Sequence, residues 1–96
     1  MLAKKHEFEY KILLAVCDKE HFGKKFEEGE LCFIVSEKFY GGNEVKEEEL
    51  LEMIKEADSV NLFGNKCVSV AIKNGLVSEK SVKKIKGISH AQIYQV

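Results

Sequence analysis

The sequence predicts an α+β domain in which a small, mostly antiparallel sheet is covered by two main helices. Three observations lead there. Apolar residues recur at every second position through Phe8, Tyr10, Ile12, Leu14 and Val16, the period of a strand. Leu50, Met53, Ile54 and Ala57 are spaced i, i+3, i+4, i+7, which is one face of a helix. Val68, Ala71 and Ile72 repeat that helical spacing in a second segment. Ninety-six residues make one domain, residues 1–96, with a core that is small but sufficient.

The elements follow in order. Residues 2–6 are open between a strand and a loose arm. From Phe8 to Cys17 the partners of the apolar positions change from Glu9 and Lys11 to Leu13, Ala15 and Cys17. A strand that starts half exposed and ends buried on both faces is expected. Asp18 to Gly23 breaks the pattern as a short helical turn or loop. Leu31, Phe33 and Val35 alternate with Cys32, Ile34 and Ser36 as a second strand. Tyr40-Gly41-Gly42-Asn43 reads as a turn. The first main helix runs from about Lys46 to Ala57, with Glu47, Glu48 and Glu49 in its first turn at the positive end of the macrodipole. The second runs from about Asn65 to Asn74, capped by Gly64 or Asn65, with Gly75 at the left-handed C′ position and Leu76 as its apolar follower. Ser78 begins a short turn. Val82–Lys86 and Ala91–Val96 read as closing strands broken near Gly87.

Composition excludes several classes. Hydrophobic residues are 45% and charged residues 32%, a globular balance rather than that of a disordered tail. The net charge is −1 and the pI about 6.3, unlike a uniformly basic nucleic-acid binder. All 15 basic residues are Lys. Arg is the usual bidentate reader of guanine, so sequence-specific DNA recognition is not expected. No apolar run approaches a membrane span, and the Lys4-Lys5-His6 start is too polar for a secretory signal. Cys17, Cys32 and Cys67 are odd in number and widely spaced. They fit neither a zinc site nor a disulfide framework, and their apolar surroundings predict buried, reduced thiols in a cytoplasmic protein.

The charge is unevenly distributed. Residues 1–26 carry a net +2, residues 27–58 hold three Lys and eleven acids for −8, and residues 59–96 hold six Lys and one acid for +5. The acidic block reads as a solvated helix face or as a surface for protein assembly. Lys80, Lys83, Lys84 and Lys86 precede His90. Such a stripe either protects an edge strand from aggregation or holds a phosphate backbone.

Several residues are candidate contacts. Asn61, Gly64, Asn65 and Lys66 stand at a helix start, where free backbone N–H groups bind anions, or where Asn61 simply bonds its own turn. The Walker spacing is absent. Tyr40 beside Gly41 and Gly42 is either part of a turn or an aromatic face for a base. His90, in the polar break Ser89-His90-Ala91-Gln92, is a structural histidine, a polar contact or a general base. Gln92 joins it. No paired carboxylates, nucleophile motif, metal cluster or cofactor signature is present, which argues against catalysis.

Ala15-Val16-Cys17-Asp18, Gly23-Lys24-Lys25-Phe26-Glu27-Glu28-Gly29, Phe39-Tyr40-Gly41-Gly42, Asn61-Leu62-Phe63-Gly64, Ala71-Ile72 with Gly75-Leu76-Val77, and Gly87 to Gln92 together resemble the archaeal family of domain of unknown function 424. The resemblance spans nearly the whole chain. Lys46 departs from it where an acidic or hydroxyl cap is usual, and Ser89 where Pro is commoner. The resemblance implies an archaeal cytosolic protein linked to information processing such as translation, with no activity or cofactor carried over. The expected function is a non-catalytic module engaging RNA or a ribonucleoprotein through the Lys-rich C-terminal third. The alternatives are a binder of an anionic metabolite or a small enzyme using Asn61 and His90, and an assembly adaptor using the acidic helix. No membrane partner is expected.

Overall fold

In the computed structural model, which describes residues 1–95, the alternation from Phe8 to Cys17 is not one strand. β1 (Leu2–Phe8) and β2 (Lys11–Cys17) form an antiparallel hairpin joined by Glu9 and Tyr10. Both turn residues are left-handed, with φ of 48° and 68°, the geometry of a tight two-residue hairpin turn. That turn normally carries Asn-Gly or Asp-Gly, so Glu-Tyr hides it from sequence inspection. The open question at residues 2–6 is thereby answered: they are strand.

Short elements follow on one side of this hairpin. A 3-10 turn at Lys19–His21 leads to the two-stranded β3 (Lys25–Glu28) and β4 (Leu31–Ile34). The four-residue α1 (Glu37–Tyr40) starts at Ser36, whose hydroxyl accepts the Phe39 N–H. The expected turn at Tyr40 to Asn43 is therefore a helix end, with Gly42 seated on the backbone of Ala3. β5 (Asn43–Glu44) then pairs with β1.

The two main helices agree with their apolar spacing. α2 (Glu47–Glu56) begins where the Lys46 N–H donates to the Glu49 carboxylate. α3 (Asn65–Lys73) ends with Gly75 at φ 71°. There the Leu76 N–H reaches the Ala71 carbonyl and the Gly75 N–H the Ile72 carbonyl, which is the Schellman closure. Between the helices lies β6 (Ser59–Phe63), a strand the sequence reading passes over. β7 (Lys83–Ile85) and β8 (Ile88–Tyr94) close the chain. The expected break at Ser89–Gln92 does not exist. The chain turns at Lys86 and Gly87, and His90 sits inside β8. Val96, the end of the expected last strand, lies outside the described residues.

The main sheet runs β5-β1-β2-β6-β8-β7. Among the described residues β2 and β6 are its one parallel pair, and α2 lies in the crossover between them. On one face, α2 and α3 bury Leu50, Ile54, Val68 and Ala71 against Ala3, Leu14, Val16, Val60, Leu62, Ala91 and Ile93. On the other face a smaller cluster of Ala15, Cys17, Val35, Tyr40, Phe63, Ile85 and Ile88 gathers Phe22, Phe26, Phe33 and Phe39 around it. Cys17 and Cys67 are buried as expected, but Cys32 is exposed, because β4 belongs to a hairpin lying on the sheet rather than within it. No helix among the described residues is long and apolar enough to cross a membrane.

Replacing Glu9-Tyr10 by Asn-Gly relieves two left-handed side-chain residues at the cost of no packing, since Tyr10 is fully exposed. The double variant is expected to gain about 1–2 kcal/mol. Its thermal midpoint rises by roughly 4–8 °C per kcal/mol gained.

Candidate functional site

The junction of β2, β6 and α3 carries a buried, fully hydrogen-bonded carboxylate. Asp18 follows the last residue of β2 and is buried. Its N–H donates to the Phe63 carbonyl at 3.0 Å. Its carboxylate accepts the Lys66 N–H at 2.8 Å and the Cys67 N–H at 3.0 Å. Asp18 therefore caps α3 from a different strand, with a charge matched to the helix's positive end. Gly64 makes this possible. Its φ is 135°, and a Cβ there would collide with the Asp18 carboxyl group. The anion site expected at Gly64 to Lys66 is thus filled from within the chain.

Asn65 is also committed. Its Oδ1 accepts the Ser89 N–H at 2.8 Å, and its Nδ2 donates to the Gly87 carbonyl at 3.3 Å. It ties α3 to the β7–β8 turn instead of reaching outward. Lys66 lies on a different surface, beside Met1 and Glu44. Tyr40 is buried in the aromatic cluster, with its hydroxyl pKa pushed well up by burial. It offers no face to a base, and Gly41 and Gly42 serve its helix end.

The sheet face opposite α2 and α3 has a different character. Alternation places Lys4, His6 and Phe8 of β1 there, with Lys11, Leu13 and Ala15 of β2. Ser59, Asn61 and Phe63 of β6 follow, then His90, Gln92 and Tyr94 of β8, and Lys83 of β7. These strands turn no carboxylate onto this face, although the chain holds 16 acids. Part of it is covered. Phe33 of β4 stacks on Phe63 at 4.3 Å, and Phe26 adds a tilted contact at 5.4 Å. His6 stacks on Phe39 of α1, and the Lys4 ammonium donates to the Lys38 carbonyl. The remainder, around Asn61, Gln92 and Tyr94, is open.

That open part gathers four of the sequence candidates. Lys83 and His90 are cross-strand partners, as are Asn61 and Gln92. Ser81, Lys83, His90, Ala91, Gln92 and Tyr94 line a pocket of about 330 Å³. The Tyr94 hydroxyl donates to Gln92 Oε1 at 3.0 Å, which braces the ring. His90 packs edge-on to Phe33 at 4.7 Å. Burial, then the neighbouring Lys83 charge, lowers its pKa below the ordinary 6.5, so the imidazole is neutral at pH 7. The pocket thus offers one cation, neutral imidazole and amide groups, and an exposed phenol ring.

Folding keeps Lys83 and Lys84 along one small cleft with His90 and Phe33 but spreads the rest of the lysine stripe apart. Lys83 faces the pocket. Lys84, one residue on, has the opposite parity in β7. Lys86 lies in the turn, where its N–H donates to the Glu28 carboxylate at 3.2 Å. Tyr94 and Ser81 were missed by sequence reasoning. Had β8 been traced from Ile88 without a break, Ile88, His90, Gln92 and Tyr94 would have shown one period-two face. Folding also brings ligand atoms of Asp18, Glu20 and His21 within 4.8 Å of one another. Both Asp18 oxygens are engaged by α3 there.

The comparisons agree with this architecture. The family described as "Protein of unknown function (DUF424)" matches residues 6–96. The crystal structure of an uncharacterized conserved protein from Methanopyrus kandleri is similar, with a TM-score of 0.80 and 24% identity. The match covers 97% of this chain and 89% of that one; at that identity it speaks to the fold alone. No curated protein matches the chain.

Two outcomes follow from the geometry. Asp18→Ala removes two bonds to the α3 N-terminus and leaves the buried Cys67 N–H unpaired. It should cost about 2–4 kcal/mol, read as a lower urea midpoint at unchanged slope. His90 is held neutral, so its unfolded form binds a proton first as pH falls. Its contribution is full above the unfolded value near 6.5 and is lost as pH drops toward the lower folded value. The stability difference between wild type and His90→Gln should therefore change between pH 7 and 5, and be constant above pH 7.5.

Proposed function

Because the chain belongs to the DUF424 family, whose description names no activity, its function is read from its own surface, and we propose that it is a non-catalytic module engaging RNA, alone or within a ribonucleoprotein of the translation apparatus. One observation carries this reading. On the uncovered sheet face β1, β2, β6, β7 and β8 place no carboxylate, and Lys83, His90, Gln92 and Tyr94 share one pocket beside Asn61. Each group has a use there. Lys83 meets phosphate. Tyr94 gives a base a flat surface, and the amides of Asn61 and Gln92 meet base edges. Neutral His90 adds hydrogen bonding without adding charge.

A cytoplasmic location accords with this reading and with the three free thiols. The acidic residues lie elsewhere and are partly neutralised, as in the pairs Glu47–Lys73 and Glu52–Lys55. The 330 Å³ pocket is also large enough for a small anionic metabolite, which makes that the competing reading.

Binding of a short RNA is expected to weaken steeply with salt. Lys83→Glu should remove most of it, whereas Lys84→Glu and Lys86→Glu should have smaller effects. RNA co-purifying with the tagged protein at low but not high salt supports the proposal. A small phosphorylated metabolite that raises the thermal midpoint, with no RNA affinity at any salt, would overturn it in favour of the competing reading.

A further inference from the structure

We infer that the ligand of this face is a single strand, whose bases stack on Tyr94 and on Phe8 at the far side of the sheet, with Lys83 and Lys11 meeting its phosphates. The inference rests on the RNA reading and extends it to a second contact region, at the β1–β2 hairpin.

The evidence is the row structure of the sheet. Tyr94 pairs with Ser59, Ser59 with Leu13, and Leu13 with His6. Phe8 and its partner Lys11 lie one same-face step beyond His6 along β1 and β2. Tyr94 is 74% exposed and Phe8 59%, so two aromatic rings remain in water on one face. From β8 to β1 is three strand spacings, about 14–15 Å. About two or three splayed nucleotides cover a four-stranded sheet face. Lys83 stands at one end of this path and Lys11 at the other; the strands place no carboxylate between them, the Asp58 carboxylate beside Ser59 is engaged by the Ile12 N–H at 2.7 Å, and Glu9 lies in the hairpin turn beyond Phe8. The nearest acid on β1, Glu7, has the opposite parity and pairs with Lys5. The middle of the path, Leu13, Ser59 and Asn61, is small or neutral and lets a chain pass. A duplex buries its base faces by stacking and pairing, so it cannot lay them on two rings.

The length of the probe separates the two contact regions. Fluorescein-labelled oligouridylates of two and eight nucleotides are titrated against the full chain. Tyr94→Ala should weaken both, each by about 5- to 150-fold, the range of one lost base stack. Phe8→Ala and Lys11→Glu should weaken the octamer by about fivefold or more and leave the dinucleotide unchanged. Phe8→Tyr, which keeps a ring, should restore octamer affinity, and an unlabelled RNA duplex should not compete. Circular dichroism melts check that each variant is folded. Octamer binding indifferent to Phe8→Ala and Lys11→Glu overturns the path but leaves the pocket intact, as does equal competition by the duplex. If neither oligouridylate binds, the RNA reading falls and the path with it.

Discussion

The Asp18 carboxylate at the first turn of α3 is the constraint on which the rest of the molecule is hung. It follows the end of β2, takes the N–H groups of Lys66 and Cys67 in the first turn of a helix 48 and 49 residues further on, and is placed by its own N–H on the Phe63 carbonyl of β6. One buried residue thereby sets where α3 starts and holds β2 beside β6. Gly64 is the complementary half, since any side chain there would occupy the carboxylate's position. An anion-binding helix end is usually read as a place for a ligand. Here its positive end is spent on architecture, and the open polar surface lies elsewhere, on the sheet face.

That other surface exists because one side of the sheet is only half covered. The β3–β4 hairpin lies over it through Phe33 on Phe63, a stacked pair with ring centres 4.3 Å apart. α1 covers the neighbouring strands through Phe39 on His6. Stacked aromatic contacts of this kind add about 0.5–1.5 kcal/mol beyond the area they bury, so rings on β1 and β6 fasten small elements that lack cores of their own. The cover stops at His90. Beyond it, Gln92 and Tyr94 meet solvent.

Periodicity made the helices legible. Leu50 to Ala57 and Val68 to Ile72 point one way only, and Gly75 marks its helix end without ambiguity. The sheet was legible as a class but not in detail. Glu9-Tyr10 adopts a turn whose usual residues are absent. β6 is short, and a parallel partner 46 residues away leaves no local trace. The candidate site was half legible. Lys83, His90, Asn61 and Gln92 were identified from residue type, and folding gathers them on one face. Tyr40, Asn65 and Lys66 were identified on the same grounds, but burial, side-chain hydrogen bonds and position remove them. Residue type shows what a side chain can do; cross-strand register decides whether it is available.

The parallel β2–β6 pair has a kinetic consequence. β1–β2 and β7–β8 are joined by two-residue turns, and such hairpins form in about 1–10 μs. Neither has a covered core until β2 and β6 meet, and they meet only when a loop spanning 46 residues closes, as the Ile12–Asp58 bond does. Closing that loop costs chain entropy before any contact compensates. The barrier to folding is therefore set in the middle of the sheet, and in a nascent chain the finished N-terminal hairpin must wait, edge exposed, for β6 to be synthesised.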